Sequence, residues 1–420
     1  MPPLSTSRIE IAGIPVAELA RQFGTPAFVY DAAMIRRRLA DLRQFDHVRY
    51  AEKACSNLAI LVLLRRAGAL VDTVSGFEIR RALAAGYKAE GKVPPIVYTA
   101  DIFDTHALEL VVAHNILVNC GSPDMIDQYG DLAPGREITL RINPGFGHGH
   151  SQKTNTGGPQ SKHGIWHEQL PDCLLKAGQH DLSVTGLHMH IGSGTNMEHL
   201  AQVCGAMETA ARQAGPSIRS ISVGGGLPVV YREDDPTVDL EAYFELCDAM
   251  RKRLENTFGH QVSLEIEPGR YLVAESGYLI TEIRAVKHQG ANLFYLVDAG
   301  FNNLPRPILY GAYHPISIVP ADGDTNRPET DVIVGGPLCE SGDIFTQKDG
   351  GFVATRRLPR ATVGELLVIE CAGAYCSVMG SNYNSRPMAP EVLIDEGQAK
   401  LIRRRQTFEE LTAGESMPDA

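Results

Sequence analysis

Long apolar runs are scarce in this sequence: the longest, Leu58 to Leu64, is seven residues, against the roughly 20 that a membrane helix needs. No membrane partner is expected. Positive charge is also short, with 39 Lys and Arg against 50 Asp and Glu for a net charge of −11, so the summed field repels phosphate backbones and anionic lipid. No nucleic acid partner is expected either, and the one dense basic run, Arg403 to Arg405, reads as a solvated tail or helix end. Cysteine is sparse, eight in 420 residues with no CxxC pair, which excludes a disulfide scaffold and a CxxC zinc or redox motif. Most of these thiols should be reduced core residues; Cys339, set among Gly, Pro and acids in GGPLCESGD, is the exception by context. The opening MPPLSTSRIEIAG lacks a basic segment leading into an apolar stretch. A cytoplasmic enzyme is the resulting expectation.

What is present is a globular composition, 44% hydrophobic and 21% charged with 41 Gly and 25 Pro, and enough chain for two or three domains. Strand-like stretches recur at 47–56, 69–75, 96–100, 116–122, 137–145, 183–192, 218–226 and 262–270. They are rich in Val, Ile and Leu, as strands buried on both faces should be. Between several of them lie helical stretches ending at glycine: Asn57 to Gly68, Gly76 to Gly86 and His167 to Gly178. Eight alternating units predict an α/β fold, a (β/α)8 TIM-type barrel over 32–270, with reactive groups at the C-terminal ends of its strands. Lys53, Asp72, Arg141, His190, Gly224 to Gly226 and Glu267 fall at those ends. Past Arg270 the pattern becomes short or alternating apolar runs with few helices, which predicts an all-β domain of 271–420 together with 1–31.

Each candidate group has two readings. Lys53, placed by the pattern inside an apolar strand, suits Schiff-base chemistry if its amine is desolvated, or is a strand-end lysine reaching solvent. The glycine triplet 224–226 and the turn HIGSGT (190–195), with Ser193, resemble a phosphate cradle, or are tight turns. His188 and His190 form an HxH pair open to a metal, to simple packing, or to a ring set against a flat cofactor. Glu265 and Glu267 could hold a pyridine nitrogen protonated, or pair with Arg270. An amine, an anion cradle and a carboxylate at neighbouring strand ends together specify pyridoxal phosphate better than any one of them, and no metal.

The motifs carry the same message. The stretches GTPAFVYD (24–31), YAEKACSN (50–57), VDTVSGFEI (71–79), LRINPGFGHGHSQKTNTGG (140–158), SKHGIW (161–166), GLHMHIGSGT (186–195), VGGGL (223–227), EIEPGR (265–270), VDAGFNNLPRPILYGAYH (297–314), GPLCESGD (336–343) and GAYCSVMGSNYNSRP (373–387) resemble the alanine-racemase-like, fold type III pyridoxal-phosphate decarboxylases. The resemblance implies that Lys53 bonds to pyridoxal 5'-phosphate, His190 stacks on its ring and Glu267 pairs with its nitrogen. It places the phosphate among Ser193, Gly224, Gly225, Gly226, Gly269 and Tyr375, with Asp72, Arg141, Pro268 and Arg270 also lining the cofactor. It assigns the far end of the substrate to Arg270, Arg306, Tyr310, Glu340 and Tyr375, and proton return to Cys339. It further implies a homodimer whose active sites are shared, Cys339 and Glu340 reaching in from the partner. Two arginines fork onto a carboxylate and Glu340 suits an ammonium, so the expected substrate is meso-2,6-diaminopimelate, yielding L-lysine and CO2. Decarboxylation of a basic amino acid or of carboxynorspermidine is the runner-up of the same chemistry. A pyridoxal-phosphate carrier on the same barrel has little use for the β domain, and a metal-dependent hydrolase would need stoichiometric zinc. Two positions depart from the family pattern: His163 stands in place of a Phe, and Cys376 in place of a small residue.

Overall fold

The computed structural model describes residues 6–147, 155–192, 196–235 and 237–418, so the expectations resting on Ser193 and on residues 148–154 lie outside the described residues. The chain divides into two compact units, one of Arg36–Val229 and Pro236–Leu272, the other of Met1–Ile35, Val230–Asp235 and Val273–Ala420.

The first unit is a closed parallel barrel. Its strands, His47–Ala51, Leu70–Thr73, Ile96–Ala100, Leu117–Cys120, Glu137–Asn143, Ser183–His188, Ser220–Ser222 and Ser263–Ile266, pair in chain order and the last pairs with the first. Their Val, Ile and Leu side chains are almost fully buried, Val71, Ile96, Val118, Ile138, Ile221 and Leu264 at 0% exposure, because helices cover the outer face of a parallel sheet. Seven of the eight expected strands stop two to five residues short of their expected ends. The apolar lettering continues past them, but the backbone leaves the ladder for turns and helix caps.

Lys53 is the consequence that matters most. It does not lie inside a strand; it sits in the 3-10 turn Glu52–Ala54 that follows the first one, with its side chain exposed. The next helices start from side-chain caps at the same end of the barrel. Asn57 accepts from Ala59 N, Ser75 from Glu78 N and Asp104 from Ala107 N, each cap contributing about 1 kcal/mol. Gly68 and Gly86, at φ +95° and +88°, end two of the helices as expected, whereas Leu170–Gln179 runs through Gly178 and turns instead at Asp181.

The second unit is mostly sheet. Its organising strand is Gly277–Gln289, which pairs with Ala27–Asp31, Leu366–Ile369 and Asn292–Val297 along different parts of its length. Glu391–Asp395 lies parallel on the other side of Ala27–Asp31. Val29, Ile280, Val319, Val368, Val392 and Ile394 close over Ile11, Val16 and Leu19 in its core, each fully buried aliphatic side chain contributing about 1.5–3 kcal/mol.

Candidate active site

At the C-terminal mouth of the barrel, Glu267 stands one residue past the eighth strand, and its carboxylate is buried. Burial alone would push it up. His188, the last residue of the sixth strand, brings Nε2 to 2.8 Å from Oε2. Ser222, the last residue of the seventh, donates its hydroxyl to Oε1 at 2.7 Å. Against the burial, His188, Ser222 and Arg49 together hold this carboxyl below the usual carboxylate range. It is therefore an ionised acceptor facing the barrel mouth. Glu265, its companion in sequence, pairs with buried Arg49, Nε to Oε2 at 2.5 Å.

Around Glu267 the electrostatics interlock. Burial first, then the nearness of Glu267, pushes Asp72 up, while Lys53 and Thr99 pull it back. Burial, Arg141, Lys53 and His188 all drive His190 well below its ordinary value, only Glu267 opposing them. A neutral imidazole results, and its Nδ1 has no partner among the described residues. His190 lies beyond its strand, so the HxH pair splits: His188 turns to Glu267, and His190 is presented separately. Among the described residues no group of three His, Cys, Asp or Glu is placed to hold a metal.

The glycine triplet is sterically required. Gly224 and Gly226 adopt φ +69° and +100°, where side chains are strained. A Cβ on Gly225 would come 2.4 Å from the Glu267 carbonyl oxygen. Glu267 N donates to Gly224 O at 2.8 Å, so this side-chain-free loop and the carboxylate are built as one piece. Such a loop at a barrel mouth suits a phosphate. Exposed amine, neutral ring, ionised carboxylate and bare backbone loop together fit pyridoxal phosphate. Arg141 is buried in the same unit, where Asp101, Glu267 and Asp72 favour its charge against the burial, and Arg270 opens the short helix Arg270–Val273 directly after Pro268 and Gly269.

Several supports escaped sequence reasoning. Ser222 carries no expected role and His188 only that of one half of the HxH pair, although each is the last residue of its strand, at the same barrel end as Glu267, the one signal available. Asn143 Oδ1 accepts from Gly158 N at 2.9 Å and from Gly145 N at 3.1 Å, and Thr156 donates to the His190 carbonyl at 3.1 Å. His163 pairs with Asp101 at 2.7 Å, a polar contact that accounts for a histidine at that position.

The remaining candidates belong to the second unit. Arg306 is buried at the start of Arg306–Tyr310, and Tyr310 ends that helix. Tyr375 holds a left-handed backbone, φ +57°. Cys339 and Glu340 are exposed, on a loop tied down by buried Asp343, which accepts from Phe301 N and Leu338 N at 2.8 Å each. Cys339 is the one exposed cysteine of the eight. Cys376 is buried against the Ala374 carbonyl.

Fold and site define a class: residues 32–274 match the pyridoxal-binding domain of the pyridoxal-dependent decarboxylases. The diaminopimelate decarboxylase of Escherichia coli K12 is 55% identical over 397 residues, covering 94% of each chain. A crystal structure of a diaminopimelate decarboxylase superposes with a TM-score of 0.92 at 55% identity, again over 94% of each chain. The Helicobacter pylori enzyme complexed with L-lysine superposes at 0.84 with 31% identity, over 94% of this chain and 98% of that one. The chain belongs to the diaminopimelate decarboxylase family.

Proposed function

We propose that this protein removes CO2 from meso-2,6-diaminopimelate to leave L-lysine, using pyridoxal 5'-phosphate. The observation that carries the proposal is the buried Glu267 carboxylate, kept ionised by His188 and Ser222 at the barrel mouth. When bound, the cofactor supplies a ring that absorbs the electron pair left behind by CO2. Glu267 keeps the proton on the ring nitrogen that makes this absorption favourable. His190, neutral, would stack on the ring without competing for its charge. Lys53 supplies the amine that holds the cofactor, with Asp72 and Arg141 setting the charge around it.

Ser193, the loop Gly224 to Gly226, the backbone at Pro268 and Gly269, and Tyr375 hold the phosphate. Arg270 and Arg306 take the distal carboxylate of the substrate, Tyr310 and Tyr375 line it, and Glu340 takes the distal ammonium. Cys339 delivers the proton to Cα. The exposure of Cys339 and Glu340 supports a homodimer in which each chain lends these two residues to its partner. Among the described residues no helix is long and apolar enough to cross a membrane, and we place the reaction in the cytoplasm.

Assay of CO2 release from diaminopimelate, ornithine, lysine and arginine tests the substrate, with release from diaminopimelate expected and silence on it overturning the proposal. Borohydride reduction of the holoenzyme followed by peptide mapping should label Lys53; a label on any other lysine removes it from its role.

A further inference from the structure

In the second unit Arg232, Arg306 and Arg356 gather around Tyr231, Tyr313 and His314, and among the described residues no carboxylate is paired with any of the three. Arg306 is 7% exposed. Its Nη1 donates to Tyr231 Oη at 3.2 Å and to His314 Nε2 at 2.9 Å, and its guanidinium lies 5.1 Å from the Tyr231 ring centre. Arg356 donates to the His314 carbonyl at 2.8 Å and stacks 3.5 Å over the Tyr313 ring, which Arg232 also covers at 4.6 Å. Glu370, the acid whose backbone meets His314, is already committed. Its side chain accepts two bonds from Arg8 at 2.9 Å and one from Ser317.

The state of His314 follows from hydrogen-bond bookkeeping. Its Nδ1 faces the Glu370 carbonyl at 3.0 Å, and a carbonyl only accepts, so Nδ1 carries the proton. Its Nε2 faces a guanidinium, which only donates, so Nε2 is bare. Buried His314 is therefore a neutral acceptor. It fixes the direction of Arg306 and leaves the positive charge undischarged. A buried charge without a counterion is costly, and here a second guanidinium is anchored to the backbone of the residue that orients the first. Burial, with the like charge of Arg232, pulls Arg356 down to about 10 despite Tyr313, as expected of a cation lacking an acid.

We infer that His314, with Tyr231, is a positioning residue that aims an uncompensated Arg306 at an incoming carboxylate, and that Arg356 locks His314 in that role. The inference rests on the reading of Arg306 as a receiver of the substrate's distal carboxylate, and makes selection of an anionic terminus the work of all four residues. It is tested on the holoenzyme with His314→Ala, His314→Gln and Arg306→Met, using diaminopimelate as the probe. His314→Ala should raise KM about 10-fold, the loss of one bond to a charged group, with kcat changed less than about threefold. His314→Gln, whose side-chain oxygen can accept from Arg306, should recover most of that KM. Histidine nitrogen NMR, with the His314 signal assigned by its absence in the Gln variant, should show a protonated Nδ1 and a bare Nε2. An unchanged KM in Arg306→Met overturns the underlying reading. A raised KM in Arg306→Met beside an unchanged KM in His314→Ala, or a protonated Nε2, overturns the positioning role alone.

Discussion

The eighth-strand mouth and the turn after the first strand each bury a glutamate, and the two behave oppositely. Glu267 meets His188 and Ser222 and is held down. Glu52, at 0% exposure, has no hydrogen-bond partner on either carboxylate oxygen among the described residues. Burial, with Glu78 and Asp72 adding repulsion against Arg81, pushes it up to about 9. Burial thus yields an ionised carboxylate at one place and a protonated one at the other, because neighbours decide which form the low-dielectric interior tolerates. The ionised one faces chemistry; the protonated one lies directly before Lys53.

The largest effect should come from removing the charge that defines the first region. Glu267→Gln is expected to lower kcat on the order of 100-fold to 1,000-fold, the scale of losing one preorganised electrostatic contact, while borohydride still labels Lys53; steady-state kinetics with peptide mapping check both. Next, Gly225→Ala places a methyl against the Glu267 carbonyl and should weaken cofactor binding by roughly 10-fold to 100-fold, given about 1–3 kcal/mol for overpacking. Titration of apoenzyme with pyridoxal phosphate reads it, and unchanged affinity would separate the glycine loop from the cofactor.

Ser222→Ala sharpens the comparison by loosening Glu267 without deleting it. With one stabilising bond gone its pKa rises, so the acid limb of the kcat/KM profile should move to higher pH by about one unit. A profile that stays in place would show that His188 and Arg49 suffice.

The last effect is in stability. Glu52 has a folded-state pKa raised above its unfolded value. The unfolded chain releases this proton above about pH 4.5 while the folded chain keeps it to about 9, and stability falls as pH rises through that window, by at most about 1.4 kcal/mol per unit. Glu52→Gln removes this slope, so its urea midpoint should exceed that of the parent more at pH 8.5 than at pH 6. Glu267 carries the opposite sign: its stabilisation is present above the ordinary carboxylate range and is lost as pH falls below it. Parallel midpoints for parent and Glu52→Gln across pH would show that Glu52 is ionised after all.

Much of this arrangement was legible beforehand. The eight barrel strands follow from buried Val, Ile and Leu runs between helical stretches, and the motifs around Lys53, the glycine triplet and EPGR mark their C-terminal ends. Strand ends were overrun, since apolar letters do not report where ladder hydrogen bonds give way to the Asn57 and Ser75 caps. For that reason Lys53, expected in a strand, is found exposed in a turn whose other two residues are buried. The partners of Glu267 were not legible, because Ser222 is 45 positions away and becomes a neighbour only when the barrel closes. Tyr231 and Arg306, 75 apart, and the neutral tautomer of His314 were out of reach for the same reason.

Read alone, the chain determined its periodicities, its turn glycines and the kinds of reactive group at its strand ends, because these depend on local backbone geometry and side-chain chemistry. Only the tertiary structure decided which carboxylate is ionised, which histidine is neutral and which arginine lacks a counterion. Those states are set by burial and by contacts at a few ångströms between residues far apart along the chain, and neither quantity exists until the chain is folded.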